Sequence, residues 1–275
     1  AGGLIRSPKG WNFYDWSTAW RNGVPPAGCD GISAVLNWHC AWTLRLAAEL
    51  EDYAGNAVAA AACRNDAAGM ATRLVEVFFD SATGLFADDP NHQSFSQHAQ
   101  ILALSSGLLE EAFAGRLYRK LMAAGNKIAP CTVFFSHYLL EVMARFGDGQ
   151  ALREQFAFWL QLSRQGLLTV PEKPEPSRSD CHAWGTHPFY HLIAHFAGIH
   201  PIGFGGKRWE VAPLAGGWDG FDATLPLPGG KIAVSCSDGH YRIQVEGDHL
   251  HVVFRPPRSG GEQPLHPGEN RIAVR

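Results

Sequence analysis

The chain has 275 residues, of which 46% are hydrophobic and 18% are charged, so it can form one large globular domain or two with a sizeable core. The formal net charge is −3, and lysine and arginine are scattered, which argues against nucleic acid or an anionic membrane as partner. No apolar run approaches the roughly 18 residues of a membrane span, so no membrane partner is expected.

Up to about residue 199, the apolar residues recur at helical spacing and no strand is indicated. Asp30 is predicted to cap a first helix that runs to Tyr53. Most later segments end at a glycine, as helices often do. About seven helices therefore indicate an all-α part built from helical hairpins. The further predicted helices cover residues 56–79, 96–109, 111–124, 132–146, 151–165 and 184–197, with a loop over 83–93.

After residue 199, short and partly alternating runs rich in β-forming residues replace the helical pattern. Asp238-Gly239 and Gly247-Asp248 are predicted hairpin turns between such runs. The pattern indicates an antiparallel sheet or small sandwich, with the boundary near residues 198–206. The predicted strands cover residues 209–213, 221–228, 231–237, 240–247, 249–256 and 270–275.

Residues 168–191 form a polar cluster between helical segments. A purely structural connection needs Gly, Pro, Asn or Ser for its turns, whereas this one is dense in carboxylates, imidazoles and an indole. Such a mixture is typical of a sugar-cleaving site, and a solvated loop with a His/Asp helix cap is the alternative. The cluster contains Glu172, Glu175, Arg178, Asp180, His182, Trp184, His187, Tyr190 and His191.

The six cysteines show no CxxC spacing, so most are expected to be small buried residues, and the redox compartment stays open. His39 and Cys40, in an apolar helix, are expected in the core. His92, His98 and His137 lack the i, i+4 spacing of a helical ligand set, so no metal site is expected. The first ten residues contain neither a signal peptide nor a starting Met, so any targeting signal is expected outside this chain, and the localisation is unknown.

Four segments occur in a distinctive order: WNFYDW (11–16), SQHAQILALSSGLL (96–109), TVFFSHYLLEVMARFG (132–147) and TVPEKPEPSRSDCHAW (169–184). GIHPIGFGGKRWEVAP (198–213) and LPLPGGKIAVSCS (225–237) follow them. In this order and spacing, nearly the whole chain resembles the C-terminal part of bacterial α-L-rhamnosidases, which are inverting six-hairpin glycoside hydrolases. The resemblance implies part of an (α/α)6 toroid over residues 1–203 and an antiparallel β-sandwich over residues 204–275.

The resemblance also implies roles for individual residues. Glu172 matches the general base that activates the attacking water, and His182 matches an imidazole that contacts the sugar. Asp15 and Trp16 match the family's Phe-x-Asp-Trp segment at the pocket rim, here FYDW. Trp184 fits an aromatic wall of the sugar subsite. Core packing is the alternative for both tryptophans.

The family's general acid belongs to an acidic motif upstream of the WNFYDW-like segment, and residues 1–10 contain no counterpart. A complete toroid also needs more helices than the roughly seven predicted. The chain is therefore expected to be a fragment of a longer enzyme. Its expected partner is a rhamnose-containing oligosaccharide or glycoside, and no cofactor is expected. Another toroid glycosidase, for a uronide, fucoside or other deoxy sugar, is one alternative, and a non-catalytic carbohydrate-binding or structural module with an eroded pocket is another. The sequence leaves the oligomeric state open.

Overall fold

The computed structural model describes residues 3–216, 218, 220–257 and 261–273. By their contacts, they divide into two compact units. Unit one contains Ala1–Val142 and Pro171–Ser179, and unit two contains Met143–Val170 and Asp180–Arg275. The domain division at residues 203 and 204 stays a prediction. A helical part is followed by a part built of sheets, as the sequence predicts.

Unit one is built around a helical hairpin, α1 (Ala34–Tyr53) and α2 (Ala57–Phe78), joined by a short turn. Small alanines on the buried sides of both helices allow the two backbones to approach closely. The predicted cap at Asp30 is wrong, because Ser33 is the N-cap of α1. The chain turns back at Gly28 and Gly31 before the helix, and the carbonyl of Asp88 accepts the first helical N–H, from Ala34.

Two further helices of unit one, α3 (Gln97–Ser106) and α4 (Glu111–Ala124), agree closely with the sequence. Ser96 accepts the N–H of Ala99 and so caps α3, and Gly107 ends it in the left-handed conformation. Between α2 and α3 lies a small antiparallel pair that the sequence did not predict, β1 (Phe79–Asp80) and β2 (Leu85–Phe86). Only β2 lies within the expected loop over 83–93, and β1 begins at the last residue of the predicted helix. The helix α5 (Ser136–Arg145) begins in unit one and ends in unit two.

The helices of unit two depart from the prediction. The expected helix over 151–165 is broken at Phe156 into α6 (Gly149–Gln155) and α7 (Ala157–Arg164). The expected helix over 184–197 is a 3-10 turn (Ala183–Thr186), a short α8 (Pro188–His191) and a π-helical turn (Leu192–Phe196). The carbonyl of Gly185 accepts a hydrogen bond from the indole N–H of Trp159, a side-chain donor in place of the backbone N–H that a regular helix would provide.

The strands of unit two form two four-stranded sheets, in the orders β10-β7-β6-β5 and β3-β4-β8-β9. The first sheet is antiparallel throughout. In the second, β4 and β8 run parallel, because the chain between them passes through three strands of the first sheet and returns in the same direction. The strands are β3 (Ile199–Pro201), β4 (Arg208–Val211), β5 (Gly220–Leu227), β6 (Gly230–Ser237), β7 (His240–Glu246), β8 (His251–Phe254), β9 (Gln263–Pro264) and β10 (Gly268–Ala273).

The two predicted hairpin turns have different outcomes. Asp238 and Gly239, both with positive φ, join β6 to β7 in the geometry of a two-residue hairpin, which confirms this prediction. Gly247-Asp248 leads from β7 to a strand of the other sheet, so the hairpin predicted there is wrong. One hydrophobic core takes residues from both sheets, including Val211, Ile232, Val234, Ile243, Val245, Val252 and Phe254.

Two predictions about buried residues are wrong. His39 and Cys40 are half-buried at the side of α1 and do not belong to the core. Of the six cysteines, only Cys236 is buried, and none forms a disulfide. In the part of the chain that the structure describes, no helix combines the length and the apolar character needed to cross a bilayer.

Candidate functional site

An aromatic cleft lies in unit one beside the segment 11–16. The rings of Trp11, Phe13 and Trp16 pack on one another, with centroids 5.4 Å apart for Trp11 and Phe13 and 4.9 Å apart for Phe13 and Trp16. Trp11 stays 63% exposed. The cleft has a volume of about 650 Å³, and its walls contain Trp11, Trp16, Arg21, Asn22 and Arg178. It offers aromatic faces beside hydrogen-bond donors, a combination suited to a sugar.

The tight turn at residues 21–23 holds this segment in place. The indole N–H of Trp11 donates to the carbonyl of Asn22 at 2.9 Å. The backbone N–H groups of Tyr14 and Asp15 both donate to the carbonyl of Gly23. The cleft wall therefore depends on this turn as well as on ring packing.

Glu172 lies directly behind the cleft wall, with its side chain only 1% exposed. Trp16 donates its indole N–H to Oε1 of Glu172 at 3.0 Å. Arg178 binds the carboxylate with two groups, Nε to Oε2 at 2.7 Å and Nη2 to Oε1 at 2.8 Å. Paired guanidinium and carboxylate groups favour each other's charged forms, and the hydrogen bond to Glu172 raises the pKa of Arg178.

Arg178 also covers the face of Trp16. Its guanidinium carbon lies 4.8 Å from the centroid of the indole ring, and Nζ of Lys173 lies 5.8 Å from the same centroid. The side chain of Arg178 is nevertheless 65% exposed. Glu172, Trp16 and Arg178 are therefore joined by hydrogen bonds, with the Arg178 side chain facing solvent and the Glu172 carboxylate buried.

Asp15 is fully buried, and its carboxylate is surrounded by protein donors. Thr132 donates its backbone N–H to Oδ2 and its hydroxyl to Oδ1. Nε2 of His98 lies 2.8 Å from Oδ2, and the backbone N–H of Trp16 donates to Oδ1 at 2.9 Å. A direct sugar contact by Asp15 stays a prediction that this burial does not favour. The geometry instead suits a residue that fixes the backbone at Trp16.

His98, the partner of Asp15, is enclosed between the rings of Trp20 and Phe135, at centroid distances of 4.1 and 4.4 Å. Burial lowers the pKa of His98, against the raising effect of its hydrogen bond to Asp15 and of the Asp15 charge. A neutral His98 that donates Nε2–H to Asp15 satisfies both effects. Nδ1 of His98 then has no hydrogen-bond partner among the described residues.

His182 and Trp184, the other two predicted sugar contacts, lie together in unit two. Their ring centroids are 4.3 Å apart, and both side chains are half-buried. The N–H of His182 donates to the carbonyl of Val170, which fixes the start of this pair. Their role at a sugar subsite stays a prediction.

Four polar or aromatic residues of the cleft wall had no individual role predicted from the sequence: Trp11, Arg21, Asn22 and Arg178. Trp11 was named only within the segment WNFYDW, Arg178 was named only within the polar cluster, and Arg21 and Asn22 were not named. The available signals were an aromatic residue opening a motif and an arginine close after an acidic residue. Neither signal could show that Arg178 binds Glu172 or that Trp11 stays exposed.

No family model and no curated protein sequence matches the chain. Solved structures do match it. A GH78-family rhamnosidase of Bacillus sp. GL1 superposes with a TM-score of 0.81 at 22% identity, over 94% of this chain and 29% of that one. The chain folds like part of an α-L-rhamnosidase.

Two other α-L-rhamnosidases support this assignment of the fold. The enzyme of Streptomyces avermitilis, complexed with L-rhamnose, gives a TM-score of 0.74 at 17% identity, over 98% of this chain and 28% of that one. The enzyme of Aspergillus terreus gives 0.73 at 16% identity, over 86% and 29%. The resemblance predicted from the sequence is thus confirmed in the fold, and the chain spans less than a third of each of these α-L-rhamnosidases.

Proposed function

We propose that the chain supplies the water-activating part of an inverting α-L-rhamnosidase site, with Glu172 as the general base. The observation that carries the proposal is the group of Glu172, Trp16 and Arg178. Two members of this group line an aromatic cleft, and the third is a buried carboxylate bound to both. The fold shared with α-L-rhamnosidases supports the choice of substrate, a terminal α-L-rhamnoside.

In the proposed reaction, the oxygen of a water molecule attacks the anomeric carbon while Glu172 takes one proton from that water. The bond from the anomeric carbon to the leaving oxygen breaks, and that oxygen receives a proton from a general acid. Among the described residues, the wall of the cleft contains no carboxylate that could be this acid. The proposal therefore assigns only the base to this chain.

A water molecule reaches Glu172 only when Arg178 yields part of its hold on the carboxylate. The exposure of the Arg178 side chain makes such a movement feasible, because among the described residues it is restrained by the indole face of Trp16 and the carboxylate of Glu172. The indole N–H of Trp16 keeps one carboxylate oxygen fixed meanwhile. In this mechanism, Arg178 is a positioning residue that holds the carboxylate of Glu172 in place until substrate arrives.

Sugar binding is assigned to the exposed ring of Trp11 and to the polar groups around it. An aromatic face packs against the C–H groups of a pyranose, and Arg21 and Asn22 provide donors and an acceptor for hydroxyl groups. Asp15 supports the cleft from behind by binding the backbone of Trp16. His182 and Trp184, in unit two, are proposed as sugar contacts independently of this cleft.

Glu172→Gln, introduced into the complete protein that contains this chain, tests the base. The amide keeps the shape and can still accept the indole hydrogen bond, but it cannot take a proton from water. We expect kcat on p-nitrophenyl α-L-rhamnoside to fall at least about 100-fold. Steady-state kinetics with a thermal melt of each protein give the measurement.

Glu175→Gln is the matched control, since Glu175 is an exposed acid of the same loop that accepts a backbone N–H from Ser177. Its kcat should stay within about twofold of the wild-type value, since surface substitutions change little. If Glu172→Gln turns over at the wild-type rate in a folded protein, Glu172 is not the base.

A non-catalytic carbohydrate-binding module is the second proposal, favoured by the lack of a carboxylate among the described residues of the cleft wall. The two functions differ in what Glu172→Gln does. A binding module would bind L-rhamnose in calorimetry equally well before and after the substitution, and the complete protein would release no rhamnose from any rhamnoside.

A further inference from the structure

A row of polar side chains crosses the outer face of the sheet β10-β7-β6-β5 in unit two. Asp222 lies opposite Ser235, and Ser235 lies opposite Arg242. Arg242 in turn lies opposite Arg271. Their strand neighbours, such as Val234, belong to the hydrophobic core. Because side chains alternate between the two faces of a sheet, the four polar side chains share the face directed away from that core.

The two arginines of this row are direct cross-strand neighbours. Residues in such positions have Cβ atoms about 4.5–5.5 Å apart, and like charges there destabilise the sheet. Arg271 donates Nε–H to Glu269, and its other guanidinium N–H groups have no partner among the described residues. The guanidinium of Arg242 likewise has no hydrogen-bond partner among the residues that the structure describes. Packing alone therefore gives no reason for this pair.

The positive charges of Arg242 and Arg271 also act on Glu269, which lies outside the row. The hydrogen bond from Arg271 lowers the pKa of Glu269, and the positive charges of Arg271 and Arg242 lower it further. Glu269 does not line the cleft over the row, which has a volume of about 480 Å³. The acid within the cleft is Asp222, at the far end of the row from Arg271. The arginine end is therefore the positive end.

We propose that this cleft binds a saccharide that carries a carboxylate, such as a uronic acid unit. Two neighbouring guanidinium groups match the planar oxygens of a carboxylate. Ser235 and Asp222 continue the row with a hydroxyl and a carboxylate, which exchange hydrogen bonds with sugar hydroxyls. Three strand spacings of about 4.8 Å make the row about 14 Å long, so it extends past a single carboxylate.

This site is separate from the chemistry proposed for Glu172, so either proposal can fail without the other. Calorimetric titration with tri-galacturonic acid, and with the same trisaccharide as its methyl ester, tests it on the whole chain. We expect the acid to bind at least about tenfold more tightly than the ester, as for loss of a charged hydrogen-bond partner. Arg242→Gln and Arg271→Gln should each weaken binding of the acid by about tenfold or more.

Lys231→Gln is the matched control, because Lys231 is a cation in β6 that pairs with Glu246. It removes the same charge from the same sheet outside the row, and binding should be unchanged. Equal affinity for acid and ester, an equal loss in Lys231→Gln, or no binding at all would overturn the proposal. If sodium sulfate binds as tightly as the trisaccharide, the row is a general anion site and the saccharide assignment is wrong.

Discussion

Asp88 carries a buried carboxyl group in unit one that is only partly satisfied by protein. Its Oδ1 accepts the hydroxyl of Ser96 at 2.6 Å, and its Oδ2 has no hydrogen-bond partner among the described residues. Burial raises the pKa of Asp88 to about 7, against the lowering effect of the Ser96 hydrogen bond. The Asp88 carboxyl is thus protonated and neutral at mildly acidic pH. Above about pH 7 it loses its proton, although burial disfavours the charged form.

The sign of the resulting pH dependence follows from this raised pKa. An acid that holds its proton more tightly when folded contributes stability at low pH and loses it as pH rises through the folded pKa. We expect the free energy of unfolding of the wild type to fall between pH 5 and pH 8 relative to Asp88→Asn, which cannot titrate. Thermal melts at both values give the measurement. Asp66→Asn, at an exposed acid of α2, should follow the wild-type profile, and a wild-type profile in Asp88→Asn would contradict the prediction.

At the scale of elements, the turn that supports the cleft wall depends on one glycine. Gly23 has φ +70°, where glycine is favoured. A Cβ placed there would lie 2.5 Å from a ring carbon of Phe13 and 2.8 Å from the carbonyl oxygen of Asp15. Both residues belong to the segment that forms the cleft, so a side chain at position 23 would push that segment outward.

Gly23→Ala is therefore expected to lower the free energy of unfolding by more than backbone strain alone explains. Left-handed strain costs about 1–2 kcal/mol, and the overlap with Phe13 adds about 1–3 kcal/mol. Gly31→Ala provides the control, because Gly31 also has φ +70° and a Cβ there meets nothing within 4 Å. Denaturant unfolding of both variants measures the difference. Equal losses in the two variants would contradict a clash at the cleft wall.

The sequence correctly predicted those helices whose ends are fixed by residues at or next to the ends themselves. Ser96 and Gly107 bound α3 because a hydroxyl cap and a left-handed glycine act within a few residues. Asp30 misled the prediction because the first N–H of α1 binds the carbonyl of Asp88, far along the chain. The parallel pairing of β4 and β8 was also hidden from local signals, since three strands of the other sheet separate the two in the chain.

The site shows the same division between local and distant information. Residue types and order indicated that Trp16 and Glu172 matter, and the two are joined by a hydrogen bond in the fold. They are 156 residues apart, so no spacing rule could predict that contact. The burial of Asp15 was likewise hidden, because its donors are Thr132 and His98 on distant segments.

At the scale of the whole molecule, the chain contains one proposed catalytic carboxylate and spans about 29% of the Bacillus rhamnosidase that it matches. Inverting hydrolysis requires two carboxyl groups about 6.5–9.5 Å apart. Asp15 is held by donors from three residues, and Asp88 is buried beside Ser96. Neither lines the described cleft, so neither is placed to protonate a leaving oxygen there.

We therefore expect no measurable release of rhamnose from a rhamnosyl-glucose disaccharide by the 275-residue chain alone. A sugar alkoxide is a poor leaving group, and losing general acid catalysis costs about 10²–10⁴ in rate. The assay compares the chain with its own Glu172→Gln variant as the background, using chromatographic detection of free rhamnose. A rate clearly above that background would show that a second carboxylate acts within this chain. Separate substitutions of Asp15, Asp88 and Asp180 by Asn would then identify it. Loss of the acid catalyst would abolish cleavage of the disaccharide but spare cleavage of p-nitrophenyl α-L-rhamnoside, because the p-nitrophenolate leaving group departs without a proton.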